Sequence, residues 1–238
     1  MNSFASPQTL VTLPFPGKNL GKPSAEDLYA RIFDAILEQR LLPGSRFTED
    51  SLGQMFGVRR SEVRSVLTRL SHQKIIVLRV NHRPRVAVPD AEQIRQTLHA
   101  RRLTETTLVR LACQRPRQED LKLLRALVNQ QRQCSELGQR GAMIRLSGEF
   151  HLRLAEMAKN APLAHFLASL VPLTSLALAQ FYEQLEDYCA WQVHMEILDA
   201  LEQGDAVKAQ IVLSRHLDYL EDLLLSPVSA LSRNCAAG

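Results

Sequence analysis

From Ser24 onward the apolar residues recur with helical spacing. Leu28, Ile32, Ala35 and Ile36 share one face behind Ser24 and Asp27, a capping pair, so a helix is predicted to start there. The stretch "LLPGSRF" ends it at Pro43 and Gly44, and Thr48 caps a shorter helix through Leu52, Met55 and Phe56 that Gly57 closes. Ser61 is expected to cap a third helix, in which Val63, Val66, Leu67 and Leu70 restart the i, i+3, i+4, i+7 row. In "IIVLRVNHRPRVAV", residues 75–88, β-branched residues flank a break from Asn81 to Pro84, the pattern of a two-stranded hairpin. Three helices followed by a hairpin is the order of a winged helix-turn-helix.

From Ala91 the strand signals disappear. Six helices are predicted, over 91–114, 117–137, 141–159, 162–183, 186–203 and 205–225, punctuated by Pro116, Gly138 with Gly141, Asn160 with Pro162, and Gly204 with Asp205. The expected fold is therefore mostly α: a winged helix-turn-helix over 24–90 and an all-α bundle over 91–226. A flexible Pro- and Gly-rich arm (1–23) precedes them and a tail (227–238) follows. The run "APLAHFLASLVPLTSLALAQ", 161–180, approaches the length of a membrane span. It carries His165, Ser169, Pro172, Thr174 and Ser175 between amphipathic neighbours, which marks it as a buried bundle or interface helix with a kink expected at Pro172.

Composition changes this picture little until its distribution is considered. The chain has 238 residues, 45% of them hydrophobic, and a formal charge of only +4. Cys113, Cys134, Cys189 and Cys235 are too widely spaced for a C-x-x-C motif, and no basic segment leads into an apolar run at the start. A reduced, cytoplasmic protein is the expectation. Between Val58 and Arg85, however, eight basic residues (Arg59, Arg60, Arg64, Arg69, Lys74, Arg79, Arg83, Arg85) face the single acid Glu62. That local excess is larger than the charge of the whole chain.

With Val63, Val66, Leu67 and Leu70 turned inward, the third helix presents Ser61, Arg64, Ser65 and Thr68 outward, where they can reach base edges. Arg83 and Arg85 at the hairpin suit phosphate or minor-groove contact. A charged solvated face explains the arginines alone, but not the glycine turn before them and the hairpin after them. The segment "LLPGSRFTEDSLGQMFGVRRSEVRSVLTRL" resembles the DNA-binding domain of GntR-family transcriptional regulators, through Pro43, Gly44, Glu49, Leu52, Gly57, Val58, Arg60, Val63, Arg64, Leu67, Arg69 and Leu70. The resemblance implies double-stranded operator DNA as partner, Arg60 and Arg64 as base readers and Arg69 nearer the phosphates. Arg59, Glu62, Ser65, Val66 and Arg83 depart from the family pattern and detach the fold from any borrowed operator.

In the second half, His151, His194 and His216 each fall on the inward side of a predicted helix, and Glu149 points elsewhere than His151. A lone inward histidine is usually a hydrogen-bonded core residue, but three on separate helices match the way bundles build metal sites. Phe150, His151, Asn160, Leu163, His194, Ile197, Ala200, Gly204, Asp205, Ala209, His216 and Leu217 resemble the FCD effector domain of the FadR group of GntR regulators; the count of six helices is nearer its VanR-like branch. In metal-binding members an aspartate stands one turn before the first histidine, where this chain has Ser147. The resemblance implies a divalent metal, zinc or nickel, on His151, His194 and His216, with water or an effector carboxylate completing the shell. It also implies an effector seat at Arg101, Ser147 and Asn160. Arg101 and Glu105 match an R-x-x-x-E segment, so Arg101 is the expected carboxylate anchor and Arg102 the alternative.

The expected protein is a dimeric, ligand-responsive transcriptional regulator, a repressor in the first instance, and not an enzyme. Two other classes compete: a metal-dependent enzyme built on the histidine trio, and a sequence-independent nucleic-acid binder. Neither H-E-x-x-H, G-x-S-x-G, a P-loop nor a dinucleotide fingerprint occurs in the sequence.

Overall fold

The computed structural model describes residues 24–114, 116–181 and 190–226. The expected arm, the tail, the residues flanking the start of the fifth bundle helix, Cys189 and Cys235 lie outside them. Helix α1 (Ala25–Leu37) begins at a reciprocal capping box between Ser24 and Asp27, and α2 (Glu49–Phe56) at one between Thr48 and Ser51. Gly57 closes α2 in the left-handed conformation, φ 68°, which only glycine adopts without penalty. Helix α3 (Arg60–His72) follows with Arg59 as its N-cap.

This corrects the expectation for Ser61, which lies inside the first turn. Its place is taken by Glu62, whose carboxylate accepts from the Arg59 backbone N–H at 2.9 Å. The wing consists of β1 (Ile76–Val77) and β2 (Arg85–Val86), antiparallel with Ile76 opposite Val86 and Val77 opposite Arg85.

Among the described residues the second half holds six helices: α4 (Ala91–Gln114), α5 (Gln118–Glu136), α6 (Arg140–Met157), α7 (Ala161–Phe181), α8 (Ala190–Glu202) and α9 (Ala206–Leu225). Helix α4 runs through the middle of the bundle, against α9, α7 and α6, while α5 spans α6 and α8. Helix α7 is long and apolar enough to cross a membrane by composition, yet it packs on α4, α6 and α1, and its C-terminal half from Val171 is buried. It continues through Pro172 without interruption.

One hydrophobic core extends from Leu28 and Ile32 in α1 to Leu217 and Leu220 in α9, so the two halves share buried surface. The junction is also polar. Arg145 of α6 meets Asp34 of α1 at 2.8 Å, Gln39 donates to the Ala179 carbonyl at 2.6 Å, and Gln180 donates to the Ala87 carbonyl at 2.7 Å. Gly141 is required here by close approach, because a Cβ would stand 2.4 Å from Glu38 Cγ and 3.2 Å from its backbone nitrogen.

Candidate functional site

Two surfaces gather the chemistry. On α3 the buried row is Val63, Val66, Leu67 and Leu70, as the periodicity requires. Arg59, Arg60, Ser61, Arg64, Ser65, Thr68 and Arg69 are all exposed on the other side. Their surroundings differ. Glu49, in the first turn of α2, accepts from Arg60 Nε at 2.6 Å, from Arg64 Nε at 2.8 Å and from Arg64 Nη2 at 2.9 Å. These bonds hold its carboxyl at about 2, below the usual carboxylate range.

The two arginine side chains nevertheless stay 59% and 63% exposed. Arg69 turns back toward α1, donating to Glu26 at 2.6 Å with its guanidinium 4.0 Å from the Tyr29 ring centroid. Arg83 is exposed near the turn of the wing, whereas Arg85 is half-buried within β2 and bridges Arg46. Arg85 is therefore part of the wing's framework and not of its tip.

The second surface is internal. His151 of α6, His194 of α8 and His216 of α9 are all buried, with ring centroids 5.1 to 5.5 Å apart and one nitrogen from each within 4.8 Å of the others. Phe150 stacks on His194 at 4.1 Å, which fixes that ring's plane. Burial lowers all three histidines below their ordinary value, His216 to about 3, so they are neutral, the form that binds metal. His194 Nδ1 lies 2.8 Å from Gln131 Oε1, which makes Nδ1 the protonated nitrogen and leaves Nε2 with its lone pair.

Among the described residues His194 Nε2 and His216 Nε2 are buried without a hydrogen-bond partner. His151, His194 and His216 would hold the ion, which would supply a Lewis-acidic centre among three neutral imidazoles. Orphaned imidazole nitrogens converging on one point fit a divalent cation.

Beside the trio lies a buried Arg101–Glu105 ion pair, Nε to Oε1 2.6 Å, with side chains only 3% and 2% exposed. Burial opposes the Glu105 charge, but Arg101 above all keeps the carboxyl ionised at about 2. The other carboxylate oxygen approaches His151 Nδ1 at 2.6 Å without the alignment of a hydrogen bond. Arg101 Nη1 donates to Thr174 of α7 at 2.7 Å, and Nη2 is buried with no partner among the described residues.

Of the other expected site residues, Ser147 is buried one turn before His151 on α6. Asn160 caps α7, its side-chain oxygen accepting from the Leu163 N–H at 3.2 Å. Arg102 bonds Asp218 and Glu221 of α9, and Glu149 bonds Arg153, both away from the trio. Residues not singled out from the sequence as part of a site are Gln131, the partner of His194, and Thr174, the partner of Arg101. Each depends on packing between helices far apart in the chain.

A cationic helix-turn-helix with a wing, packed on an all-helical bundle, defines the class: a DNA-binding transcriptional regulator with a ligand-binding domain. The chain matches the gntR family of bacterial regulatory proteins over residues 24–86 and the FCD domain over residues 96–219, and it belongs to the GntR regulators that carry an FCD domain.

It is 24% identical over 193 residues to the Nta operon transcriptional regulator of Aminobacter aminovorans, covering 79% of this chain and 90% of that one. It is 28% identical over 257 residues to the HTH-type transcriptional repressor NanR of Escherichia coli (strain K12), covering 92% of both. Among solved structures, E. coli McbR/YncC superposes with a TM-score of 0.72 at 20% identity, covering 84% of this chain and 96% of that one. A GntR transcriptional regulator from Rhodococcus sp. RHA1 gives 0.71 at 20% identity, covering 85% and 98%. These likenesses concern regulators, not enzymes.

Proposed function

We propose that the protein is a cytoplasmic, homodimeric repressor released from its operator by a small carboxylate bound through a divalent metal. In this reading residues 24–90 are the DNA-binding unit and 91–226 the effector-binding and dimerising unit. The α3 side chains Arg59, Arg60, Ser61, Arg64, Ser65 and Thr68 enter the major groove, and Arg83 of the wing reaches the backbone or minor groove. Arg69 and Arg85 support that surface from behind. Repression is favoured by the relative described as a repressor.

The metal would be held by His151, His194 and His216, zinc or nickel by the chemistry of three imidazoles, and it would supply a Lewis-acidic position for the effector carboxylate. The buried Nη2 of Arg101, with Ser147 beside His151, receives the other side of that ligand. The observation that carries the reading is the set of unpartnered buried nitrogens: two imidazole Nε2 atoms and one guanidinium nitrogen inside a helical core. Thr174 on α7 bonds Arg101, while Ala179 and Gln180 further along the same helix bond the DNA-binding half. Occupancy of the centre can thereby bias how the two halves sit.

The test has two parts. Protein purified without chelator should carry stoichiometric metal that His216→Ala abolishes. In competition binding, a duplex from the flanks of its own gene should outcompete random duplex. Metal-free preparations with full ligand response would remove the metal from the reading, and equal competition by random duplex would favour the sequence-independent binder.

A further inference from the structure

Helix α3 carries Arg60 and Arg64 one turn apart on its outward side, and both are tied to a single carboxylate on another helix. Glu49 sits in the first turn of α2, and a negative charge there is already favourable at a helix N-terminus. That role would be met by any acid in the turn, and Asp50 is one. It does not explain why Glu49 is only 16% exposed and receives three bonds from Arg60 and Arg64.

An arginine on a bare helix surface samples many rotamers and must be ordered before it can grip a base edge with two N–H groups. Here Arg64 is held through its Nε and Nη2, so the Nη1–Nη2 edge is turned away from Glu49. Arg60 is held through Nε, with Asp50 a further 3.6 Å from its Nη1. The fork fixes two guanidinium groups at a set separation along α3.

We propose that Glu49 is a positioning residue for DNA sequence recognition: it preorders Arg60 and Arg64 so that both meet guanines in the major groove, and it thereby sets the preference at two base pairs. This inference rests on the reading of α3 as the groove-entering helix. A contrary role has the opposite signature. If Glu49 merely competed with DNA for the arginines, its neutralisation would tighten binding and keep or sharpen preference.

The experiment uses the full-length protein and a randomised duplex library, followed by titration of the selected duplex against random duplex. Glu49→Gln removes one negative charge from the DNA face, so affinity for random duplex should hold or rise. Discrimination at the two guanine positions should nevertheless fall by about tenfold, the scale of one bidentate contact. Glu49→Asp keeps the charge but shortens the reach, and should lose part of the same discrimination. In an Arg64→Ala background, Glu49→Gln should have no further effect at the Arg64 base pair.

Thr48 and Ser51 still cap α2 in these variants, and should Glu49→Gln not fold, the Glu49→Asp comparison carries the same decision. Retained or increased discrimination in Glu49→Asp and Glu49→Gln overturns the inference while leaving the DNA-binding reading intact. A parent protein that selects no sequence overturns both.

Discussion

Two of the molecule's arginine–glutamate pairs, nearly equal in length, lie in opposite settings. Arg64 and Glu49 meet at 2.8 Å on the surface, with the arginine 63% exposed; Arg101 and Glu105 meet at 2.6 Å in the bundle, both below 4%. In water the first pair gains little, about 0–1 kcal/mol, because attraction is screened and both ions lose hydration. In the core the second pair offsets a large desolvation cost, and an apolar pair of similar volume would serve stability as well. A charge that stability does not require, with one N–H that has no partner among the described residues and three neutral histidines beside it, is the feature on which the proposed ligand seat rests.

The sharpest way to break this contrast is to remove one member of the buried pair. Glu105→Ala strands Arg101 and should destabilise the protein by about 3–5 kcal/mol in urea unfolding. Replacing both residues by Met and Leu should recover most of that loss and abolish any ligand response. A double variant as unstable as the single one would mean that the pair holds the bundle together, contrary to the comparison.

Next in size is pH. Burial holds the three imidazoles below their ordinary value, and they regain it, about 6.5, on unfolding. A group with a depressed basic pKa stabilises the fold above its unfolded value, and that stability drains away as pH falls through about 6.5 toward the folded value. Chelator-treated protein should lose about 1.4 kcal/mol per pH unit for each such histidine within that window. Urea titrations at pH 7 and pH 5 measure the slope, and His216→Gln should flatten it. A slope unchanged in that variant would place the titration on other groups.

Smaller still is the exposed arginine. Arg64→Ala should cost about 1–3 kcal/mol of operator binding and relax preference at one base pair, while folding stability moves by less than about 0.5 kcal/mol. Binding titrations on substituted duplexes and a melting curve check the two halves of the statement. Uniform weakening on every sequence would make Arg64 a phosphate contact.

The same contrast explains what could be read from the chain. Helix spans were legible because punctuation is local: Thr48 and Gly57 bound α2 where expected, and α4 begins at Ala91 as its period does. The inward face of α3 and of the three histidine helices followed from periodicity in the same way. Ser61 failed as a cap because capping competes among neighbours, and Glu62 reaching back to the Arg59 N–H moved the start two residues earlier.

Arg101 and Glu105 stand out as a motif, yet their burial does not, since only α6, α7 and α9 packed around α4 take them from water. Gln131 on α5 gave no signal at all: its partner, His194, is 63 residues away. Asn160 carries a family signature that implies the effector, and the contact the structure adds, its side-chain oxygen capping a helix N-terminus, is local.

The smallest effect belongs to a third arginine–glutamate pair, which serves as the control for Glu49. Glu26 bonds Arg69 at 2.6 Å, but the carboxylate side chain is 75% exposed and touches one arginine, not two. Arg69 also lies 4.0 Å from the Tyr29 ring centroid, and Tyr29 is itself anchored by a 2.7 Å bond to Gln73. The ring sets the direction of this guanidinium, so the carboxylate adds only a screened attraction. Glu26→Gln should therefore change stability by less than about 0.5 kcal/mol and leave sequence preference where it was. The same binding assay on the same duplexes measures it beside Glu49→Gln. A loss of preference in Glu26→Gln equal to that in Glu49→Gln would mean that any negative charge near α3 acts alike, and that the fork on Glu49 has no geometric role.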